Sequence, residues 1–419
     1  PSSSDGGGLE AGLAALVETI GGDLASAIKS WQADAKQAAA EFWSRSSVAL
    51  DDPVLERTWY ETLYARRCAY RRDTVAPGLA LPSTITDYSL WHGDYHMNFN
   101  YQQCFYGDYT ANQVDLGDSF FPGIQHLVDL GRKLARDYWG CRGMFIQVSA
   151  YPFPMADDPY GTGPLCRLAY MTGWVAGYYW TRYRYTLDET WLRETGYPVI
   201  RDAALFYADF LQKGEDGRYH AFPSAQGETQ YTGRPEDYTD QAQVIRHARW
   251  SFEIAVRAAG VLDMDAELVS EWQEVLENLV VVDDLEALGF SAEEVRRFGC
   301  NPPEYISLDL NVPIPRPGDE PEYLEQVRSN HGWRGSFNTL PWFWMVNIRN
   351  GAFDPESQLD LIRSHIERWR MPNGMLRAMS SSDHGFIGAY GESMGIVAPI
   401  QEMLLQSWDG VLRIFPLWP

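Results

Sequence analysis

Apolar residues recur at three- and four-residue steps over most of the chain, the period of an amphipathic helix. LASAIKSWQADAKQAAAEFW, residues 24–43, carries this pattern. PVLERTWYETLYARRCAY, residues 53–70, repeats it, with Asp51 and Asp52 placed to cap and Pro53 in the first turn. The same period predicts helices over 98–112, 118–138, 165–186, 190–212, 239–260, 265–281, 334–348, 356–369 and 391–408. Loops rich in Pro, Gly and Asp join them. Strict alternation is scarce, and short extended pieces are predicted only near 143–150, 219–223 and 305–315.

So many helices joined by short loops favour either a closed toroid or a stacked solenoid. A repeat of the length that builds helical solenoids is not visible, which argues against stacking. The pattern therefore predicts an all-α fold, the (α/α)6 barrel, a double ring of helical hairpins. In such a ring the inner-helix ends and their loops form one concave face, where function collects. Residues 1–50 read as an N-terminal linker and lead-in helix, and 51–419 as the barrel. The opening PSSSDGGG reads as flexible. The abrupt apolar ending RIFPLWP suggests that the natural protein extends further.

With 419 residues, 45% of them hydrophobic, the chain buries a large core without help from disulfides or metals. A net charge of −23 repels nucleic acid, anionic membranes and polyanions, and favours neutral or cationic ligands. No apolar run is long enough to span a membrane. The compartment is not written in the sequence; the leaning is to a secreted or periplasmic protein. Cys68, Cys104, Cys141, Cys166 and Cys300 are widely spaced with no C-x-x-C, so no metal site or disulfide framework is expected, only buried free thiols. No cofactor is called for. The 16 Trp, 24 Tyr and 18 Phe are core material first, but ring faces with polar tips also line carbohydrate clefts.

Three polar clusters stand out. In WHGDYHMNFNYQ, residues 91–102, the side chains of His96, Asn98 and Asn100 would share one face of an extended segment, opposite Tyr95, Met97 and Phe99. One Asn could cap the following helix; two together with His96 and Asp94 could hold a water or a sugar hydroxyl through amide donors and acceptors. RYHAFPSAQGETQYTG, residues 218–233, is a loop carrying Glu228 among Phe222, Gln226 and Tyr231. A carboxyl over an aromatic floor suits a general acid, though a solvated Glu is the plainer reading. Asp240, just beyond, has helix capping as its default role. SSSDHGFIGAYGESMG, residues 380–395, offers Asp383, His384 and Glu392 among glycines that let a ligand approach closely. Glu392 is either the second carboxylate of an acid/base pair or a helix-N-terminal Glu, and Asp383 competes for the same role.

These clusters, in this order, resemble the catalytic domain of glycoside hydrolase family 95, the inverting α-L-fucosidase and α-L-galactosidase family. The likeness covers most of residues 50–419. GDYHMNFNYQ stands where the family has a D-Y-x-x-N-I-N-x-Q-type stretch, and PSAQGE, residues 223–228, where it has P-S-x-S-P-E. Residues 173–211 are similar to the helical hairpin ahead of the family's acid loop, and IQEMLLQSWDGVLRIFPLWP to the helix and exit strand that close its barrel. The resemblance implies Glu228 as general acid and Asn98 and Asn100 as holders of the attacking water. The family's base is an Asp in F-Q-I-D-G-N-F-G; here GAYGESMG sets Gly391 opposite that Asp and Glu392 one position on, so the role passes to Glu392. A His-rich stretch of the family is replaced by NPPEYISLDLNVPIPRPG, residues 301–318, and the N-terminal β-sandwich is absent from this chain. Trp91, His96, Trp333 and His384 become candidate sugar contacts, with core packing the plainer reading for each Trp.

The reading is thus an inverting glycoside hydrolase acting on an oligosaccharide or polysaccharide of neutral sugars. The alternatives are a phosphorylase or polysaccharide lyase on the same barrel, and a glycan-binding protein without catalysis.

Overall fold

The structure, a computed structural model, describes residues 6–21, 23–79, 93–155, 168–225, 238–282, 344–345, 348–349, 354–377, 391–407 and 410–419. The chain divides into two compact units, Pro1–Ala49 and Leu50–Pro419. The first is a helical hairpin of α1 (Gly6–Ile20) and α2 (Leu24–Ser44), with Asp23 capping α2 through Ser26 N. α1 begins inside the glycine run of the opening segment, because the apolar positions Leu13, Leu16, Val17 and Ile20 that follow repeat at helical spacing.

The second unit opens with α3 (Pro53–Ala69). Asp52 caps it, its Oδ1 accepting from Val54 N at 2.9 Å and Leu55 N at 3.0 Å. Leu55, Thr58, Trp59, Thr62, Leu63 and Arg66 form the buried stripe. Cys68 falls outside that stripe and is exposed, against the expectation of buried thiols; Cys104 and Cys141 are buried. The chain continues through β1 (Tyr95–His96), α4 (Asn100–Gln103), α5 (Val114–Asp118), α6 (Phe121–Leu134) and β2 (Ser149–Ala150). Then come α7 (Tyr170–Thr186), α8 (Glu189–Trp191), α9 (Tyr197–Phe210), the hairpin of β3 (Gln212–Lys213) and β4 (Tyr219–His220), α10 (Ala242–Leu262) and α11 (Ala266–Asn278). The last described elements are α12 (Pro355–Trp369), a 3-10 turn over Gly391–Ile396, α13 (Val397–Leu404), and β5 (Leu405–Gln406) paired with β6 (Arg413–Ile414).

Burial separates two helical layers. α7 is buried around its whole circumference from Tyr170 to Trp180, whereas α11 buries only Trp272 and Val275. α10 packs along α7, and α9 packs against both. Gly173 makes the closest approach of that inner pair possible: a Cβ there would stand 2.7 Å from His247 O and 2.8 Å from Ser251 Oγ. The two ends of the unit also meet. α3 packs against α12 and α13. Trp59 Nε1 donates to Gln401 Oε1 at 3.3 Å, and Arg363 Nε on α12 donates to Asp52 Oδ2 at 2.6 Å.

Among the described residues, three buried Arg–carboxylate pairs join distant parts of the chain. Arg66 on α3 meets Asp108, and Arg349 Nη2 donates to Glu402 Oε1 on α13 at 2.7 Å. Arg182 on α7 grips Asp118 on α5 with two bonds, at 2.8 and 3.1 Å. Tyr109 Oη donates to the same carboxylate at 3.2 Å.

Several predicted helices are shorter than expected; 391–408 gives a 3-10 turn, α13 and β5, and 190–212 is broken by a π-helical turn over Leu192–Gly196. Over 98–112 only Asn100–Gln103 is α-helical; Phe105, Tyr106 and Asp108 then bond three residues back, and Asn112 turns left-handed at φ 55°. The tight turn brings Gly107 against Val397, whose Cβ would lie 2.6 Å from a Cβ at 107. The 118–138 prediction resolves into the end of α5, then α6, then a π-helical turn Ala135–Trp139 closed by Gly140 at φ 66°. The extended pieces at 143–150 and 219–223 contain β2 and β4; 305–315 and most of 334–348 lie outside the described residues. No helix among the described residues is long and apolar enough to cross a membrane.

Removing one partner of a buried ion pair strands the other. Asp118→Ala, which leaves Arg182 without its carboxylate, is expected to lower stability by about 3–5 kcal/mol. The double replacement Asp118→Leu with Arg182→Met should recover most of that loss. Urea unfolding of the three proteins checks both statements.

Candidate functional site

The first polar cluster is held by a two-strand ladder. β1 pairs antiparallel with β2, Tyr95 opposite Ala150 and His96 opposite Ser149. Met97 N continues the pairing to Val148 O at 2.6 Å, and Gln102 Nε2 then occupies Met97 O at 2.6 Å and ends it. Tyr95 and Met97 are fully buried on the apolar face, with Tyr95 Oη donating to Ala76 O at 2.5 Å. On the other face His96 Nδ1 lies 3.1 Å from Asp94 Oδ2, and Asp94 is fully buried. That contact fixes the imidazole ring.

Asn98 is 2% exposed and Asn100 7%. The extended stretch is shorter than the sequence suggested: residues 97–99 turn, and Asn100 already begins α4. No side chain caps α4, whose N-cap is Phe99, so neither asparagine has the capping role. Asn100 Oδ1 is buried with no hydrogen-bond partner among the described residues. A lone buried acceptor costs about 1–3 kcal/mol, which marks a place where an O–H donor belongs.

α4 packs on the 3-10 turn Gly391–Ile396, so the first and third clusters meet along their backbones. Gly391 N donates to Leu79 O at 3.2 Å, and a Cβ at 391 would stand 3.0 Å from Tyr70 Oη. Glu392 is the second residue of that turn. Its side chain, together with Trp91, Glu228, Trp333, Asp383 and His384, lies outside the described residues.

The two flanks of the second cluster come together. Ser224 N donates to Tyr238 O at 2.7 Å and Gln241 N to Ser224 Oγ at 3.1 Å. Asp240 corrects the capping expectation. α10 starts after Gln241 with no side-chain cap, and Asp240, left-handed at φ 51°, turns back on the preceding hairpin. Its Oδ1 accepts from Ala221 N at 2.8 Å, and its Oδ2 lies 2.6 Å from His220 Nδ1. Asp216 approaches the other ring nitrogen at 3.2 Å. The bond to Asp240, with support from Asp216, raises the His220 pKa above its ordinary 6.5, against a smaller opposing effect of burial.

Several buried polar residues escaped the sequence reading, His247 and Gln147 among them. His247 on α10 packs among Tyr170 and Trp174, and burial pushes its pKa down to about 3. The neutral ring donates from Nδ1 to Gln243 O at 2.8 Å, leaving Nε2 as an acceptor. Gln147 lies just before β2. A single His or Gln inside an apolar stretch carries no periodic signal that could have marked either. Among the described residues no group of three or more His, Cys, Asp or Glu could hold a metal ion.

Layered helices closed end to end define an (α/α)6 barrel. A solved structure provisionally described as a kojibiose phosphorylase from the human microbiome shares the fold at TM-score 0.62. The likeness covers 96% of this chain and 62% of that one, at 10% identity. Residues 84–284 match the Glycosyl hydrolase family 95 catalytic domain. Alpha-L-fucosidase 2 of Arabidopsis thaliana is 21% identical over 78% of this chain and 41% of its own length. Kojibiose hydrolase of Mucilaginibacter mallensis is 28% identical over 32% of this chain and 19% of its own. The chain therefore spans well under half of the curated relatives it matches.

The raised pKa of His220 has a sign. A group whose folded pKa lies above its unfolded one stabilises fully below the unfolded value and loses that contribution as pH rises through the folded value. The thermal-midpoint difference between wild type and His220→Gln should be largest below pH 6.5 and shrink above it. Melting curves from pH 5 to pH 9 test this; a difference that does not vary with pH contradicts the pairing.

Proposed function

We propose that this chain is the catalytic barrel of an inverting glycoside hydrolase acting on a neutral glycan. The observation that carries the reading is the buried Asn98–Asn100 pair at the start of α4, with an Asn100 carbonyl that has no partner among the described residues, packed against the turn that bears Glu392. Amides orient a water but are no base. Inversion needs a protonated carboxyl on one side of the sugar and a basic carboxylate on the other, ~6.5–9.5 Å apart, with water between. Glu228 takes the first role and protonates the glycosidic oxygen. Glu392, or Asp383 in its place, takes a proton from the water that Asn98 and Asn100 hold. His96, fixed by Asp94, faces the sugar, and Trp91, Trp333 and His384 complete the sugar contacts. The substrate class that the match to glycosyl hydrolase family 95 favours is an α-L-fucoside or α-L-galactoside. The relative named as a kojibiose hydrolase makes an α-glucoside the next to try.

The test is turnover on a panel of aryl and natural glycosides of these sugars, with the product anomer read by NMR. Wild type should release the inverted anomer, in phosphate-free buffer and without formation of a sugar phosphate when phosphate is added. Glu228→Gln should lose about 100- to 10,000-fold in kcat on substrates whose leaving group needs a proton. A retained anomer, phosphate-dependent cleavage, or full activity in Glu228→Gln would each overturn the reading.

A further inference from the structure

Among the described residues, the chain running out toward Glu228 and the chain returning from it are bound to each other. The outgoing side leaves from a fixed base. β4 pairs with β3, His220 opposite Gln212; Tyr219 O accepts from Val280 N at 3.1 Å, and Tyr219 Oη donates to Glu274 Oε2 at 2.6 Å. Beyond β4, Ala221 and Ser224 are fully buried, and each is tied to the returning side. Asp240 N donates to Ala221 O at 3.0 Å, and Ala221 N donates to Asp240 Oδ1 at 2.8 Å. Ser224 N donates to Tyr238 O at 2.7 Å, and Ser224 Oγ accepts from Gln241 N at 3.1 Å. The Ser224 hydroxyl hydrogen has an oxygen on each side within reach, Ala221 O and Tyr238 O, both at 3.3 Å. Gln241 is the N-cap of α10, so the returning side is fixed to a long helix as the outgoing side is fixed to a hairpin.

Asp240 is the centre of this clasp. A left-handed backbone, here at φ 51°, is uncommon for a residue with a side chain and persists where its surroundings over-determine it. Both carboxylate oxygens of Asp240 are engaged on the outgoing side, one by Ala221 N and the other by His220 Nδ1 at 2.6 Å. Glu228 follows Ser224 by only a few residues, so a shift at Ser224 is passed to it through a short length of chain.

We propose that Asp240 and Ser224 are positioning residues for the general acid: together they hold the two chain ends that bound the Glu228 segment in one register, and so set where its proton is delivered. The inference rests on the hydrolytic reading above and adds how the acid of that reading is held. Neither residue acts on the substrate directly. A clasp that slips moves the acid off the glycosidic oxygen and leaves the water side of the reaction as it was. A displacement of about 1 Å is enough to lose about 100-fold in rate.

The leaving group separates positioning from plain stability. Wild type, Glu228→Gln, Asp240→Ala and Ser224→Ala are assayed on the methyl and the 2,4-dinitrophenyl glycoside of one sugar, α-L-fucose or α-D-glucose, whichever wild type cleaves. Thermal midpoints are measured on the same samples. The methyl glycoside needs the acid's proton to release its alcohol, whereas 2,4-dinitrophenolate leaves without it. Asp240→Ala is expected to lose about 10- to 100-fold in kcat on the methyl glycoside and to keep most of the wild-type kcat on the other, a milder form of the Glu228→Gln pattern. Ser224→Ala removes a single hydroxyl and should show the same split with a smaller loss; it decides the matter if Asp240→Ala does not fold. If Glu228→Gln shows the split and neither clasp variant does, the proposal fails and the hydrolytic reading stands. Equal losses on both glycosides that follow the thermal midpoints make the clasp structural only and also overturn it. No split in Glu228→Gln, or no cleavage of any glycoside by wild type, removes the reading and the proposal with it.

Discussion

The barrel depends on α3 lying against α13. Trp59 and Gln401 are 342 residues apart in sequence, and bringing such distant points together costs about 5 kcal/mol of chain entropy. Each large apolar side chain taken fully from water returns about 1.5–3 kcal/mol. Leu55, Trp59 and Leu63 on one helix and Ile400 and Met403 on the other are all buried, so a handful of side chains offsets the closure. The bond between Asp52 and Arg363 then ties α12 to the start of α3, and Arg349 against Glu402 fixes α13 from behind. Ion pairs of this kind add little net stability, but a mispaired arrangement would strand a buried charge. They select one register of the ring among several that would bury similar area.

The site inherits its geometry from that closure. Tyr70, at the end of α3, stands against Gly391, and Gly391 N reaches Leu79 O. α4 rests on the same turn, so the amide segment from the early part of the chain and the Glu392 segment from its end meet because the ring has closed. The tight turns after α4 are part of the same fit. Gly107 admits Val397, and Asp108 lies close enough to accept Arg66. A regular helix through 98–112 would move both residues off those contacts, which is the physical reason the helical period in that stretch is not followed.

This also explains what the residues alone could and could not disclose. The cap at Asp52, the buried stripe of α3 and the course of α7, α10 and α12 are governed by neighbours within a few residues, and periodicity and capping rules read them correctly. Asp240 misleads because its partners, Ala221 and His220, lie 19 and 20 residues back, and the local rule for an Asp before a helix points to capping instead. The crowding of Asn98, Asn100 and His96 was conspicuous because it breaks a helical pattern. Gln147 was not, because a single Gln in an apolar stretch breaks no local pattern. Cys68 shows the converse limit: its type favours burial, but its place on the helix decides.

The chemistry of the buried groups bears on which nucleophile the site suits. Arg66, Arg182 and Arg349 are the arginines buried among the described residues, and each faces a carboxylate: Asp108, Asp118 and Glu402. Their charge is answered within the core. The carbonyl oxygens of Asn100 and Gln147 lie buried with no hydrogen-bond partner among the described residues. The barrel is shared with a protein described as a phosphorylase, so the fold leaves the nucleophile open.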